Sequence, residues 1–424
     1  MRPRLAIDPD FALAQAALSG VYANTSQTAL APAYSRRAFE LRDRVSERER
    51  YFISWRYYRD ALQDWVKALE LARTWTAAYP REAFAFNSLG LSAELNGLRE
   101  EAEPALREAI RLDSRFVPPY GNLGDVLVGL NKLADAKAVV QQALLAGIRS
   151  VSIQRVGYLV AFLEGDTDGM ARHLIDARKS RDEVLDSGDW EARVAAFHGR
   201  LNEAEQGFKG GIQLAERLGF KEWAANYSVK DAEIHAILGR CVEARRSVAA
   251  AVGWSRDSAT LDIGARSLAW CGDKQSEDLS RELARRFPTA SLRLRASTPV
   301  NTAAYAVRAG DLAGALTELE SAKPYEDSTM AKLWPAFLRG HIFALRNDPA
   351  GAGQAFQYVI DHRSQSPDSM LYPMSLLGRA RAAASAGDPE TAKRYYGMLF
   401  DLWKSADPDL QPLIEARREA ARLR

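Results

Sequence analysis

The 34 residues from 83 to 116, AFAFNSLGLSAELNGLREEAEPALREAIRLDSRF, align without a gap to the next 34, VPPYGNLGDVLVGLNKLADAKAVVQQALLAGIRS, at 117–150. Each copy reads aromatic, Leu-Gly, a turn residue, then Ala, an apolar residue and Ala. Phe86, Leu89-Gly90, Gly97, Ala102, Leu106 and Ala109 return 34 residues later as Tyr120, Leu123-Gly124, Asn131, Ala136, Val140 and Ala143. Two further copies keep Met170, Leu174 and Ala177, then Ala204, Phe208 and Gly211. Ala102, Leu106 and Ala109 stand at i, i+4 and i+7, one apolar stripe along a helix. A single unit cannot bury that stripe, so the units must stack.

Outward from this block the spacing stretches but the pattern persists. The Ala near the start of the second helix recurs at Ala31, Ala68, Ala102, Ala136, Ala204, Ala244, Ala315, Ala352 and Ala392, with Met170 and Glu277 at the same position in two further units. Five residues before each stands a turn residue: Gly97, Asn131, Gly165, Gly199, Gly239, Gly272, Gly310, Asn347 and Gly387, with Ser26 and Gln63 as exceptions. Gly and Asn accept the left-handed conformation that ends a helix. In five units an Asp follows (Asp166, Asp273, Asp311, Asp348, Asp388), placed to cap the next helix. Seven residues before the turn stand Ser19, Gly90, Gly124, Ala192, Ala232, Ala265, Ala303, Gly340 and Ala380, where the second helix of a pair must approach closely.

This pattern resembles the tetratricopeptide (TPR) family. The resemblance implies an all-α fold, a right-handed solenoid of about eleven helix-turn-helix units over 1–411, with the best units at 83–116, 117–150, 151–184 and 185–218. Residues 412–424 read as a charged helix capping the last apolar face. Leu5-Ala6-Ile7-Asp8-Pro9-Asp10 reads as the tail of a second helix whose hairpin is truncated. Leu41-Arg42-Asp43-Arg44-Val45-Ser46-Glu47-Arg48-Glu49, Trp75 with Tyr79-Pro80-Arg81, and Leu402-Trp403-Lys404 with Ala406-Asp407-Pro408-Asp409 add a narrower resemblance. They are similar to the C-terminal repeat regions of bacterial, notably acidobacterial, serine/threonine protein kinases and related signalling proteins. The kinase motifs themselves are missing: the chain has no Gly-x-Gly-x-x-Gly, His-Arg-Asp or Asp-Phe-Gly.

Composition narrows the function. With 57 Lys+Arg against 55 Asp+Glu, the net charge of +2 gives no global field to gather nucleic acid. Mean hydropathy is −0.29, and every apolar stretch is interrupted well before the roughly 18 residues of a membrane span. Cys241 and Cys271 lie near the turns of consecutive units and are read as two half-buried thiols. The five histidines make no metal spacing. Asp166-Thr167-Asp168-Gly169 opens like a calcium loop, but the twelfth position is Ala177, so a turn plus helix cap is the reading. Neither cofactor nor metal is expected, and no enzyme activity within these residues. The chain alone reads as soluble and cytoplasmic, or extracytoplasmic if it follows a membrane span in a longer protein.

A binding module remains. The TPR resemblance implies an inner groove lined by the first helices, with candidate contacts at Phe84, Asn87, Leu91, Asp125, Arg155, Arg193, Arg266, Trp334, Phe337, His341 and Arg381. Leu95, Val128, Leu159 and Phe162 occupy further inner positions. Aromatic and Arg anchors are what interfaces rely on. The aromatic segment 51–65 is expected to leave some rings facing outward. The expected function is a protein-interaction or regulatory scaffold with a protein or peptide partner and no nucleic acid; an enzyme or small-ligand sensor on the same superhelix is the alternative.

Overall fold

A computed structural model describes residues 8–423 apart from 26, 28, 29 and 180–183. The supposed helix tail at 5–10 and the turn at Ser26 therefore lie partly or wholly outside the described residues. The fold is an all-α solenoid: among the described residues 23 α-helices pair as eleven successive hairpins and a closing helix. The chain packs as two compact units.

Unit 1 comprises Met1–Lys179, Leu283–Arg295 and Asp327–Met330. Its hairpins are α1 (Ala12–Asn24) with α2 (Ala31–Glu40), α3 (Glu47–Arg56) with α4 (Trp65–Ala78), α5 (Ala83–Leu95) with α6 (Arg99–Leu112), α7 (Pro118–Gly129) with α8 (Leu133–Leu145), and α9 (Val151–Glu164) with α10 (Thr167–Ala177). The two later segments join it through hydrogen bonds to backbone carbonyls: Thr289 donates its hydroxyl to the Leu62 carbonyl at 2.7 Å, and the Thr329 N–H donates to the Leu95 carbonyl at 3.3 Å. Nothing in the repeat pattern signals this return of the chain.

Unit 2 comprises Ser180–Glu282, Ala296–Glu326 and Ala331–Arg424. It holds α11 (Trp190–Phe197) with α12 (Leu201–Leu218), α13 (Lys221–Ile237) with α14 (Cys241–Trp254), and α15 (Ser258–Trp270) with most of α16 (Gln275–Arg286). α17 (Thr298–Ala309) with α18 (Leu312–Ala322), α19 (Trp334–Leu345) with α20 (Pro349–Asp361), α21 (Leu371–Ser385) with α22 (Pro389–Leu402), and α23 (Gln411–Ala420) complete it. One apolar core runs from Ala195 on α11 to Ala416 on α23.

The turn logic holds in detail. Gly97, Asn131, Gly165, Gly199, Gly239, Gly272, Gly310, Asn347 and Gly387 all adopt positive φ, and so does Gln63 at 54° in spite of its side chain. Asp166, Asp311, Asp348 and Asp388 cap the following helices by accepting the N–H three residues on, at 2.8–3.0 Å. Asp273 departs from this, accepting from the Gln275 N–H and from Arg245. There the register slips: Glu277 is exposed, and Ser276 takes the buried small position.

Two expectations are corrected. Cys241 and Cys271 form a disulfide, Cα atoms 5.6 Å apart, joining the start of α14 to the end of α15. The turns of consecutive hairpins stack directly, which brings thiols 30 residues apart in sequence into bonding range. The aromatic segment 51–65 turns none of its rings fully outward. Trp55 is buried, and Tyr51, Phe52, Tyr57, Tyr58 and Trp65 are half-buried. Phe39 stacks on Tyr57 at 3.9 Å, and Phe84 meets Phe52 edge-on at 4.8 Å.

Candidate functional site

In unit 1 the inner positions are only partly open. Phe84 is wedged among Phe52, Trp55, Trp75 and Phe116, and Leu91 packs on the same cluster. Asn87 is buried and accepts a 2.9 Å hydrogen bond from the Asn122 amide, so the two amides satisfy each other across adjacent first helices. Asp125 on α7 and Arg155 on α9 form an ion pair. Burial raises the Asp125 pKa against the pull of Arg155. Nearby Glu94 is pushed by burial to about 7, opposed by Arg99 and reinforced by Asp125.

In unit 2 the aromatic candidates move inside. Trp334 and Phe337 are 2% and 0% exposed, so they serve the core and offer no surface to a ligand. The cause is a neighbour two hairpins earlier: Trp270 meets Trp334 at 6.0 Å and Phe337 at 5.6 Å. His341 sits against Trp270, Phe337 and Phe356 at 4.6–5.3 Å, and burial holds its pKa down to about 4. Arg381 is occupied by the closing helix, pairing with Glu415 at 3.0 Å and Glu419 at 2.8 Å.

What remains on the first helices of unit 2 is a charged ladder. Arg193 on α11 pairs with Asp368, just before α21. Lys230 on α13 pairs with Asp189 at 2.6 Å. Arg266 on α15, itself 1% exposed, pairs with Glu233 on α13 at 2.7 Å, donates to Ser297 Oγ at 3.2 Å and lies over the Trp334 ring. Ser297 in turn donates to Asp262 at 2.6 Å, and the Asn301 amide donates to the same carboxylate at 3.1 Å. Burial works to raise the Glu233 pKa, but Arg266, Lys332 and hydrogen bonds from Arg266 and Trp334 outweigh it and hold the carboxylate ionised.

Lys332 completes the set from the segment before α19. It is solvent-exposed and has no ion pair or hydrogen bond to any described residue. Desolvation drives its pKa down to about 8, with Arg193, Arg266 and Lys230 adding to the effect and Glu233 opposing it. Lys332 and Leu333 both adopt positive φ, 47° and 68°. Two successive left-handed side-chain-bearing residues cost roughly 1–3 kcal/mol each, and burial of Ala331 and Leu333 in the core holds them there.

Sequence reasoning found Arg193 and Arg266 but passed over Glu233, which stands at the same position six residues before its turn glycine and was legible there. Lys332 belongs to no repeated position and left no signal.

No family model matches this chain, and no curated protein matches it significantly. Solved structures resemble it at low identity. The TPR domain of P58(IPK) is 16% identical, with a TM-score of 0.26 over 89% of this chain and 100% of that one. Yeast Tom70 is 14% identical, with a TM-score of 0.37 over 97% and 95%. The human IFIT1 dimer with PPP-AAAA is 13% identical, with a TM-score of 0.39 over 92% and 82%.

Proposed function

We propose that the chain is an interaction scaffold that holds a protein or peptide segment along the first helices of unit 2. The observation that carries this reading is the ladder Asp189, Arg193, Lys230, Glu233, Asp262 and Arg266, charged on three consecutive first helices and flanked by the unpartnered Lys332. Each of these pairs sets one almost fully buried partner (Asp368, Asp189 or Arg266) against a partly exposed one. Charge patterns of this kind select partners and set their register.

Cross-linking with mass spectrometry tests the reading. A partner bound to the intact chain should cross-link to Lys230 and Lys332, and cross-links confined to the outer second helices would overturn it. In its finer form, the array is the C-terminal regulatory part of a bacterial signalling protein such as a serine/threonine kinase. The gene upstream tests that: an in-frame kinase domain supports it, and a ribosome-binding site directly before Met1 removes it. The Cys241–Cys271 bridge supports the extracytoplasmic placement, because disulfides persist in oxidising compartments.

A further inference from the structure

Within unit 2, α20 and α21 leave a cavity of about 560 Å³ between them, and it shares no residue with the charged ladder. Its walls follow from the helical repeat. Gly353, Gln357 and Asp361 stand four residues apart on α20, and Arg379, Ala382 and Ala386 at i, i+3 and i+7 on α21. We infer that this cavity binds a small zwitterion of the length of a short peptide, with a carboxylate at one end and an amine at the other. Arg379 sets the carboxylate end. Its guanidinium lies over the Tyr395 ring at 5.1 Å, and a Cβ at Gly353 would come within 3.3 Å of Nη1, so the missing side chain leaves it room against α20. Held there, it makes no hydrogen bond or ion pair with any described residue, and its Nε is buried without an acceptor. A guanidinium is a planar fork of donors that matches a carboxylate. Asp361 sets the amine end. One of its oxygens accepts from the Gln357 amide at 2.8 Å, and the other has no partner among the described residues. The Tyr395 hydroxyl donates to the Gln357 carbonyl, so the ring that carries Arg379 also orients Asp361 through Gln357.

Two groups on the rim suit the middle of such a molecule. Gln354 is exposed, and its amide, which no described residue engages, can both donate to and accept from a peptide group. The Tyr358 ring, 39% exposed and stacked on His362 at 3.9 Å, offers an apolar face beside Asp361. Charge disfavours simpler ligands. Asp388 also lines the cavity; it feels Arg379 but caps α22, accepting the Thr391 N–H at 3.0 Å, and forms no ion pair with the guanidinium. Phosphate would therefore meet two carboxylates and a polyamine would meet Arg379, whereas a molecule carrying both signs in the right order meets neither penalty. Length follows from the helix. From Gly353, level with Arg379, to Asp361 is about 12 Å at 1.5 Å per residue, and an extended tripeptide spans about 10–11 Å. A free amino acid, with both charges on one carbon, reaches one end only. The volume lies within the roughly 300–1,000 Å³ usual for small-molecule sites.

Equilibrium dialysis of the intact chain against isotope-labelled Phe-Ala-Ala tests the site, with the N-acetylated and C-amidated peptides, free phenylalanine and inorganic phosphate as competitors. The free tripeptide should bind, and blocking either end should weaken it roughly tenfold, as expected for loss of one charged hydrogen-bonding partner. Phenylalanine and phosphate should compete more weakly than the tripeptide. Arg379→Gln should bind the free and amidated peptides alike while still rejecting the acetylated one. Asp361→Asn, a substitution at an exposed position, should bind the free and acetylated peptides alike while still rejecting the amidated one. This matching of each variant to one end of the ligand is a result that a damaged fold cannot produce. Absence of tripeptide binding at millimolar concentration, or equal binding of free and blocked peptides by the parent chain, overturns the site. Phosphate that competes better than the tripeptide, and does so through Arg379, overturns the zwitterion assignment. The inference goes beyond the scaffold reading and fails separately from it, because cross-links of a macromolecular partner to Lys230 should be the same in Asp361→Asn as in the parent chain.

Discussion

At Gly124 a side chain has nowhere to go. A Cβ there would lie 2.6 and 2.7 Å from the two Val156 methyls, on the first helix of the next hairpin. The sequence reading expected the crowding to come from the helix paired with it, as it does at Gly90, where a Cβ would meet Leu106 at 2.3 Å. Gly124→Leu should therefore destabilise unit 1 by about 1–3 kcal/mol or more through overpacking. Arg107, on an exposed face with ion pairs to Glu103 and Asp135, should lose less than about 0.5 kcal/mol on conversion to Ala. Equal shifts in the denaturant midpoints of the two variants would contradict the register. His341 gives a pH signature. Its folded pKa of about 4 lies below an unfolded value near 6.5, so protons bind the unfolded chain first. Its contribution is full above pH 6.5, falls as pH drops, and levels off below about 4, a loss of roughly 3 kcal/mol. His341→Phe keeps the aromatic packing and should remove that slope; unfolding curves of variant and parent that stay parallel from pH 7 to 4 would refute the burial.

Among the elements, the hairpin α15–α16 is the one the sequence describes least well and the one that is covalently tied to its predecessor. Its turn glycine is in place, yet Asp273 does not cap as its counterparts do, and Ser276 replaces Glu277 at the helix interface. Periodicity in a single chain reports the average unit, so a one-residue slip within one helix disappears into it. The disulfide was equally hidden, because stacking, not sequence spacing, sets the distance between the two turns. Opening a loop of this length should cost about 3 kcal/mol in the chain-entropy account. Cys271→Ser should lower the melting temperature of unit 2, and reductant should do the same to the parent chain while leaving the variant unchanged. Two titratable thiols in unreduced parent protein would rule the bridge out. By contrast, the nine Gly and Asn turn positions were legible because a left-handed residue closes each of those hairpins; Gln63 shows that the backbone requirement prevails even where the residue is a poor match.

At the scale of a whole unit, the stack of hairpins in unit 2 closes on itself. The Trp403 indole, 0% exposed at the end of α22, donates to the Phe197 carbonyl at the end of α11 at 3.0 Å. The Asp407 N–H donates to the Gly199 carbonyl at 3.0 Å, and the Asp407 carboxylate accepts from the Asn202 N–H at 2.9 Å. Arg363 lies over both Phe197 and Tyr372, which stack on each other. In an open solenoid each hairpin touches only its neighbours, and stability passes along the stack by nearest-neighbour terms. Here the first and last full hairpins of the unit also touch, so loss at one end should be felt at the other. Trp403→Ala should destabilise unit 2 by about 3–5 kcal/mol, and hydrogen exchange should locate the effect. Protection should fall in α11 and α12, some 200 residues away in sequence, as much as in α22, and fall less in α15, midway along the stack. Faster exchange that starts at α22 and fades hairpin by hairpin toward α11 would mean that the closure carries no energy, and that the charged ladder of first helices lines an open trough and not a ring.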